Sequence, residues 1–438
     1  MKLPPRALQS RAQTLGESSP RNAFSLSDLN RRGRIRTLLG LFGPAFVVSV
    51  AYVDPGNFAT NFAGGAEHGY ELAWVVVLAN IMAVLVQYVA SKVGIATGRS
   101  LPELCRDRFG RRVNGVLWLQ AEIVAMATDL AEFVGAAVGI NLVFGVPLFL
   151  AGVITAGVAF MVLALEQRGY RHFELAIIAL LAFIAVGLVY VLFAVSNQHY
   201  GQLGAGMVPH LGGTNTLSLA VGIIGATIMP HVVYLHSALH KNRVHADNAR
   251  ERRTLLTYSR WDCLVALGIA GAMNLSMLCV AAALFHRPGL SGVSQLGVIH
   301  AHLESLIGGG AALAFGVALM ASGLSSSSVG TLSGQVVMAG FLGWRIPIFM
   351  RRAITMLPSL IILGVALNTT QAIVFSQIVL SFGIPFALIP LLLTSRDRGL
   401  MRDMANWGVT TLTLLLVTFV VVVLNLYLLF DAVRSLLS

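Results

Sequence analysis

The sequence predicts an all-α polytopic membrane protein with eleven transmembrane helices, of which the first and the sixth are unwound near the bilayer midplane. Of the 438 residues, 56% are hydrophobic and only 11% are charged, whereas soluble domains carry about 25% charged residues. Eleven apolar stretches approach the length of about 20 residues that spans a bilayer. Two of them contain a proline beside polar residues, which predicts a break in the helix.

The eleven stretches follow one another with mostly short connections. We place them at residues 39–66, 71–95, 114–140, 146–165, 173–195, 215–239, 261–285, 309–337, 346–367, 370–394 and 407–431. Residues 1–36 precede them and contain Arg and Ser but few acids. We interpret this segment as a flexible cytoplasmic tail that meets anionic lipid headgroups; a transit peptide is the alternative.

Lysine and arginine residues are concentrated on one side of the predicted membrane. With the N-terminus in the cytoplasm, 28 of the 30 fall on the inner side, and only Arg287 and Arg434 do not. This asymmetry follows the positive-inside rule. It explains the net charge of +11 without a nucleic-acid partner, and it predicts an extracytoplasmic C-terminus.

Two helix-breaking motifs lie in spans 1 and 6. The first is Asp54-Pro55-Gly56-Asn57, and the second is Met229-Pro230-His231. The breaks are five spans apart, and this odd separation means that the second set of five spans enters the membrane in the opposite direction. Paired broken helices in two halves indicate a binding site near the midplane. We therefore divide the chain into a five-helix repeat at 37–200, an inverted repeat at 201–395, and an eleventh helix with the C-terminus at 396–438.

The two breaks supply a set of candidate metal ligands. Asp54 offers a carboxylate, Asn57 an amide oxygen and Met229 a thioether, and we expect the unwound turns to expose the carbonyls of Ala51 and Ala226. Oxygen ligands alone suit Mg²⁺ or Ca²⁺, whereas sulfur favours transition metals. Mn²⁺ and Fe²⁺ are therefore the expected substrates. Two structural alternatives stay open: a helix cap for Asp54 and a packing role for Met229.

Span 3 carries three carboxylates, those of Glu122, Asp129 and Glu132. Their spacing places them within about 80° on one side of a helix. Carboxylates in a membrane helix need water, protons or cationic partners. We interpret them as a proton relay, and the alternative is a set of polar packing contacts.

Four further polar residues are candidates near this relay and the metal site. Arg351 and Arg352, at the start of span 9, are possible partners of the acids or simple inner anchors. Histidine titrates near physiological pH, so His231 is either a proton carrier or a satisfied buried histidine. Gln377 in span 10 offers a weaker candidate, an amide oxygen for the metal.

The motifs closely resemble those of the Nramp family of proton-coupled divalent-metal transporters. The resemblance covers nearly the whole chain after about residue 35, and its strings are Ala51–Asn57, Met126–Glu132, Gly225–His231 and the Ser/Gly-rich stretch Ala321–Gln335. It implies inverted five-helix repeats of the amino-acid/sodium symporter type. Magnesium or aluminium relatives lack the methionine, so the presence of Met229 places the chain among the manganese and iron importers.

The resemblance also implies a role for each matched residue. The implied metal ligands are Asp54, Asn57, Met229 and the carbonyls of Ala51 and Ala226. Proton passage would involve Asp54, His231, Asp129 and Glu132, with Arg351 and Arg352 nearer the cytoplasm.

We therefore expect a monomeric importer in a bacterial cell membrane, which carries Mn²⁺ or Fe²⁺, and also Cd²⁺, Co²⁺ or Zn²⁺, together with protons. It would be neither an enzyme nor dependent on a cofactor. A passive channel is the main alternative, although it needs no paired broken helices. An intramembrane metalloenzyme would need a closed ligand set, and the chain has no His-Glu-x-x-His motif. A sodium-driven organic-solute symporter would give the thioether no role.

Overall fold

The computed structural model describes residues 24–25, 43–167, 170–195, 198–210, 214–241, 244–245, 248–287, 295–365 and 369–437. The predicted tail at 1–36 lies outside these residues except for Phe24–Ser25. The described part is almost entirely helical. Its helices are α1 (Pro44–Ser49), α2 (Pro55–His68), α3 (Ala73–Thr97), α4 (Leu101–Arg108), α5 (Arg111–Phe144), α6 (Leu148–Gln167), α7 (Tyr170–Ala194), α8 (Tyr200–Gly206), α9 (Thr214–Thr227), α10 (Pro230–Leu239), α11 (Ala249–Phe285), α12 (Leu296–Leu306), α13 (Gly309–Leu342), α14 (Ile348–Gly364), α15 (Thr369–Ser395), α16 (Arg398–Met401) and α17 (Gly408–Leu437).

Three short elements complete the list. A 3₁₀ turn at Val50–Val53 extends α1, and a second one at Arg402–Met404 follows α16. The strands β1 (Phe24–Ser25) and β2 (Val244–His245) form a two-residue parallel pair. Apart from this pair, the described elements are helices, which confirms the all-α prediction.

The helices confirm a polytopic membrane protein. In the described part, eight segments are long and apolar enough to cross a bilayer, and they match predicted spans 2, 3, 5, 6, 7, 8, 10 and 11. Span 1 is divided between α1 and α2, span 4 matches the apolar helix α6, and span 9 matches the 17-residue helix α14. The total of eleven crossings stays a prediction.

Both predicted helix breaks are observed, and their cause is the same in each case. Asp54 and Met229 have extended backbones with ψ of 169° and 116°, and each is followed by the proline that begins the next helix. A proline has no N–H to donate to the carbonyl four residues earlier. Pro55 therefore frees the carbonyl of Ala51, and Pro230 frees that of Ala226.

The long helices α5 and α13 pack closely beside the two breaks. Small residues make this approach possible, since a Cβ on Gly323 would lie 2.6 Å from the carbonyl oxygen of Glu132. Gly135 in α5 touches Pro55 directly, because a Cβ there would lie 2.2 Å from the proline ring. Small residues commonly bring membrane helices together in this way.

The outer faces of α7 and α17 are apolar. Phe193 is 82% exposed and Phe419 is 62% exposed. Exposed large apolar side chains on long apolar helices are suited to contact with lipid tails rather than water.

Candidate metal site and proton pathway

Asp54 lies at the junction between the 3₁₀ turn and α2, and it is fully buried. Its Oδ1 accepts hydrogen bonds from the backbone N–H of Asn57 at 2.8 Å and from Asn57 Nδ2 at 2.7 Å. Its Oδ2 has no hydrogen-bond partner in the described structure. The carboxylate is therefore a helix cap, as the structural alternative proposed, but one of its oxygens remains available to a ligand.

Asn57 connects the two broken helices. Its Nδ2 donates to Asp54 Oδ1 and also, at 3.1 Å, to the carbonyl oxygen of Ala226 at the second break. The Oδ1 of Asn57 accepts from the Thr227 hydroxyl at 3.5 Å. The amide N–H thus lies between two oxygens that the sequence predicts as metal ligands, and the side chain must rotate to present its own oxygen to a cation.

The other predicted ligands lie around the same two breaks. Met229 is fully buried at the second break, three residues after Ala226. Gln377 lies against the first break, since a Cβ on Gly56 would lie 1.9 Å from Gln377 Nε2. Neither amide atom of Gln377 has a hydrogen-bond partner among the described residues. Within the same residues, no three His, Cys, Asp or Glu side chains group as a metal site, so a cation here would depend on neutral ligands besides Asp54.

The carboxylates of α5 face the arginines of α14. Arg352 is fully buried and donates to Asp129 Oδ1 at 3.0 Å, while Arg351 donates to Glu122 Oε1 at 2.6 Å. The ion pairs proposed from the sequence are therefore present. Arg352 also bonds to the side chain of Thr331 at 3.1 Å and to the hydroxyl of Ser327, which satisfies its charge further in a buried place.

Glu132 lies three residues after Asp129 in α5. It is fully buried, and neither of its oxygens has a hydrogen-bond partner in the described structure. A Cβ on Gly330 of α13 would lie 2.7 Å from Glu132 Oε2 and 3.1 Å from Asp129 Oδ1. Both carboxylates therefore meet the same spot on α13, and Glu132 also interacts electrostatically with Asp54.

His231 lies in the first turn of α10 and faces α5. Its Nδ1 is 3.3 Å from the hydroxyl of Thr128, which is the neighbour of Asp129 in the chain. Its Nε2 has no partner in the described residues. The histidine is thus buried between the second helix break and α5.

Two groups that hold the N-terminal half of span 1 were not among the sequence predictions. Asp262 of α11 accepts hydrogen bonds from the N–H of Gly43 at 3.2 Å and of Ala45 at 2.9 Å, so it caps α1 from another helix. Tyr52 accepts from Gln87 at 2.7 Å, and Gln87 in turn bonds to His236 at 3.0 Å. A carboxylate within a predicted span was the available signal for Asp262, whereas a single glutamine in span 2 gave little.

The chain matches known proteins over most of its length. A family model described as natural resistance-associated macrophage protein-like, Nramp, matches residues 45–431. The divalent metal cation transporter MntH of Deinococcus radiodurans is 46% identical over 398 residues, which cover 91% of each chain. A solved structure of the manganese transporter of Eremococcus coleocola has a TM-score of 0.83 at 31% identity, and covers 92% of this chain and 90% of that one.

A more distant solved structure shows the fold alone. Mhp1, a nucleobase-cation-symport-1 family transporter, has a TM-score of 0.59 at 16% identity, with 90% of this chain and 92% of that one covered. The relatives just described are named as transporters and not as enzymes. Since the family model spans most of the chain and a relative is 46% identical over nine-tenths of it, the chain belongs to the Nramp family.

Proposed function

We propose that the chain is a secondary importer of divalent transition metal ions, chiefly Mn²⁺ or Fe²⁺, which enter the cell together with protons. The observation that carries this proposal is the free oxygen of a buried carboxylate, Asp54 Oδ2, at the junction of two broken helices. A lone carboxylate is costly to bury in a membrane, and a cation would offset that cost. The names of the relatives, a divalent metal cation transporter and a manganese transporter, support the same substrate class.

The ligand set favours a transition metal. Asp54 Oδ2, the Ala226 carbonyl, the freed Ala51 carbonyl and a rotated Asn57 amide supply oxygen, and Met229 adds a thioether sulfur. Ca²⁺ and Mg²⁺ prefer oxygen alone, whereas Mn²⁺ and Fe²⁺ accept a mixed set. Gln377 would join the set in a conformation in which its amide turns toward Asp54.

The buried acids suggest a route for protons that is separate from the metal. It would lead from Asp54 and His231 through Glu132 to the Asp129–Arg352 pair, and then to Glu122 with Arg351. Metal binding requires an ionised carboxylate and so releases protons. The Glu132 carboxylate, which has no hydrogen-bond partner among the described residues and interacts electrostatically with Asp54, is the group that we propose receives one.

The helix contacts support two inverted repeats with an appended helix. The outer half of span 1, α2, packs on α11 of span 7, and the corresponding half of span 6, α10, packs on α3 of span 2. Span 3 likewise packs on span 10, as span 8 does on span 5. In two repeats of five spans, each span of the first repeat corresponds to the span five places later. The contact of span 1 with span 7 then corresponds to that of span 6 with span 2, and the contact of span 3 with span 10 to that of span 8 with span 5. This correspondence is what repeats at 37–200 and 201–395 require. Alternating access would then come from movement of the half-helices around a fixed site.

The burial of the site favours a carrier over a passive channel. Asp54, Asn57 and Met229 are all fully buried. A channel needs a continuous water-filled path, whereas a carrier passes through closed states.

We further propose that the chain resides in a bacterial inner membrane as a monomer, with the N-terminus in the cytoplasm and the C-terminus outside.

The test is simultaneous measurement of Mn²⁺ uptake and internal pH in proteoliposomes that hold the full chain. We expect saturable Mn²⁺ entry that acidifies the interior and that accelerates when the outside is made acidic. Metal entry without internal acidification, or entry that never saturates, would overturn the proposal in favour of a channel.

A further inference from the structure

A separate cavity lies at the end of the molecule that carries the inner loops. It has a volume of about 460 Å³ and is bounded by the C-terminal end of α3, the residues after α10, the first turns of α11 and the segment around α16. It shares no residue with the metal site or with the carboxylates of α5. The cavity has room for many water molecules, each of which occupies about 30 Å³ in the liquid.

The side chains around this cavity are strongly basic. Four cations line it, and none of its described lining residues is acidic; the cations are Arg99, Lys241, Arg252 and Arg402. They come from four different parts of the chain, so only the folded structure brings them together. Tyr258 also lines this cavity.

Two of the four cations are neutralised by acids outside the lining. Lys241 Nζ lies 2.7 Å from Glu103 Oε1, and Arg99 pairs with Asp107. Burial by itself would raise the pKa of Glu103, but the Lys241 ammonium and the N–H of Ser100 keep that pKa below its ordinary value. Glu103 therefore stays ionised and compensates Lys241.

The other two cations have no such partner. Within the described part of the chain, neither Arg252 nor Arg402 forms an ion pair, and the nearby Asp403 pairs at 3.5 Å with Arg253. Arg402 also has a φ of 52°, the only positive value among the described non-glycine residues. A cavity with two uncompensated guanidinium groups has a positive potential, and guanidinium groups bind phosphate oxygens through paired N–H donors.

We propose that this cavity binds a phosphate group, carried either by an anionic lipid of the inner leaflet or by a soluble phosphate-bearing molecule. Basic pockets between membrane helices on the cytoplasmic side are suited to lipid headgroups. The bound phosphate would tie the inner ends of α3, α10 and α11 to the segment between spans 10 and 11.

The experiment measures binding of two probes to the full chain in detergent by native mass spectrometry. The first probe is phosphatidylglycerol, compared with phosphatidylcholine of the same acyl chains, and the second is inorganic pyrophosphate without lipid. The variants are Arg252→Gln, Arg402→Gln and the double variant. The matched control is Arg250→Gln, which removes the same charge two positions away, at an exposed side chain outside the cavity and without an ion pair to Asp403.

We expect the wild type to bind at least one probe specifically, with affinity about fivefold weaker in each single variant and about 25-fold weaker in the double variant, from about 1 kcal/mol per basic residue. Preference for phosphatidylglycerol identifies a lipid source, and binding of pyrophosphate alone identifies a soluble one. Equal binding by wild type and double variant, equal loss in Arg250→Gln, or no binding of either probe would overturn the proposal. Unchanged melting temperatures without probe establish that the variants are folded.

Discussion

At the residue scale, the most informative detail is the orientation of the Asn57 amide. Its N–H groups donate to Asp54 Oδ1 at 2.7 Å and to the Ala226 carbonyl at 3.1 Å. A hydrogen-bond donor therefore lies between two of the proposed metal ligands. The sequence predicted that the polar residues of the two breaks lie together, because prolines and polar groups are conspicuous within apolar stretches. It could not predict the rotation of the amide, because that depends on a carbonyl 169 residues away.

Asp54→Asn separates the capping role of this residue from its proposed role as a ligand. Asparagine is as good a helix cap as aspartate, and its oxygen can still accept from the Asn57 N–H. The negative charge that we propose as the ligand of the dication is lost. We expect Mn²⁺ uptake to fall by at least about 100-fold, since loss of groups that only support a ligand already costs about 10- to 100-fold. Radiotracer uptake measures this, and near wild-type uptake would remove Asp54 from the site.

Met229→Leu tests the sulfur while conserving volume, so the cost in folding stability should stay below about 1.5 kcal/mol. We expect the ratio of Mn²⁺ to Ca²⁺ uptake to fall severalfold, because only the transition metal benefits from a thioether. Competition between the two ions in proteoliposomes measures the ratio. An unchanged ratio would mean that Met229 is a packing residue.

Asp129→Asn should slow proton entry more than it weakens metal binding. The single change also leaves the buried Arg352 without its anionic partner, which costs about 3–5 kcal/mol in folding stability. The double variant Asp129→Asn with Arg352→Gln should recover most of that stability without recovering proton flux. Thermal unfolding and internal pH recordings distinguish the two effects, and full proton flux in the double variant would exclude the pair from the pathway.

At the element scale, the sequence predicted the two helix breaks but not the contacts that hold the half-helices in place. Each break follows from a proline and was visible in the sequence at Pro55 and Pro230. The contacts that position the half-helices come from distant helices, such as Asp262 at the N-terminus of α1. Backbone caps and glycine contacts of this kind leave no periodic pattern, and the same is true of the two-residue strand pair.

Gly135→Ala tests the contact between α5 and the first break. Alanine normally stabilises a helix by about 1 kcal/mol relative to glycine, but here its Cβ would lie 2.2 Å from Pro55. We expect overpacking to lower the free energy of unfolding by about 1–3 kcal/mol and to reduce Mn²⁺ uptake.

The matched control is Gly115→Ala in the same helix, where a Cβ would meet no atom within 4 Å. This variant should transport normally and be at least as stable as the wild type, as judged by thermal unfolding. Equal behaviour of the two variants would show that the Pro55 contact does not hold the break in place.

At the scale of the whole molecule, hydropathy and charge asymmetry were sufficient to predict a helical membrane protein. They were insufficient for the packing, because apolar stretches do not specify their neighbours. Only the structure shows that α2 packs on α11 and that α10 packs on α3, which are equivalent contacts in the two halves. The basic cavity is likewise invisible in the sequence, since Arg252 and Arg402 are 150 residues apart.

Anomalous diffraction from crystals of the full chain grown with Mn²⁺ would locate the metal directly. We expect one manganese peak between the two breaks, coordinated by a carboxylate oxygen of Asp54 and the sulfur of Met229, with the Asn57 amide rotated to present its oxygen. A peak elsewhere, or a manganese ion that contacts neither of these two side chains, would contradict this expectation.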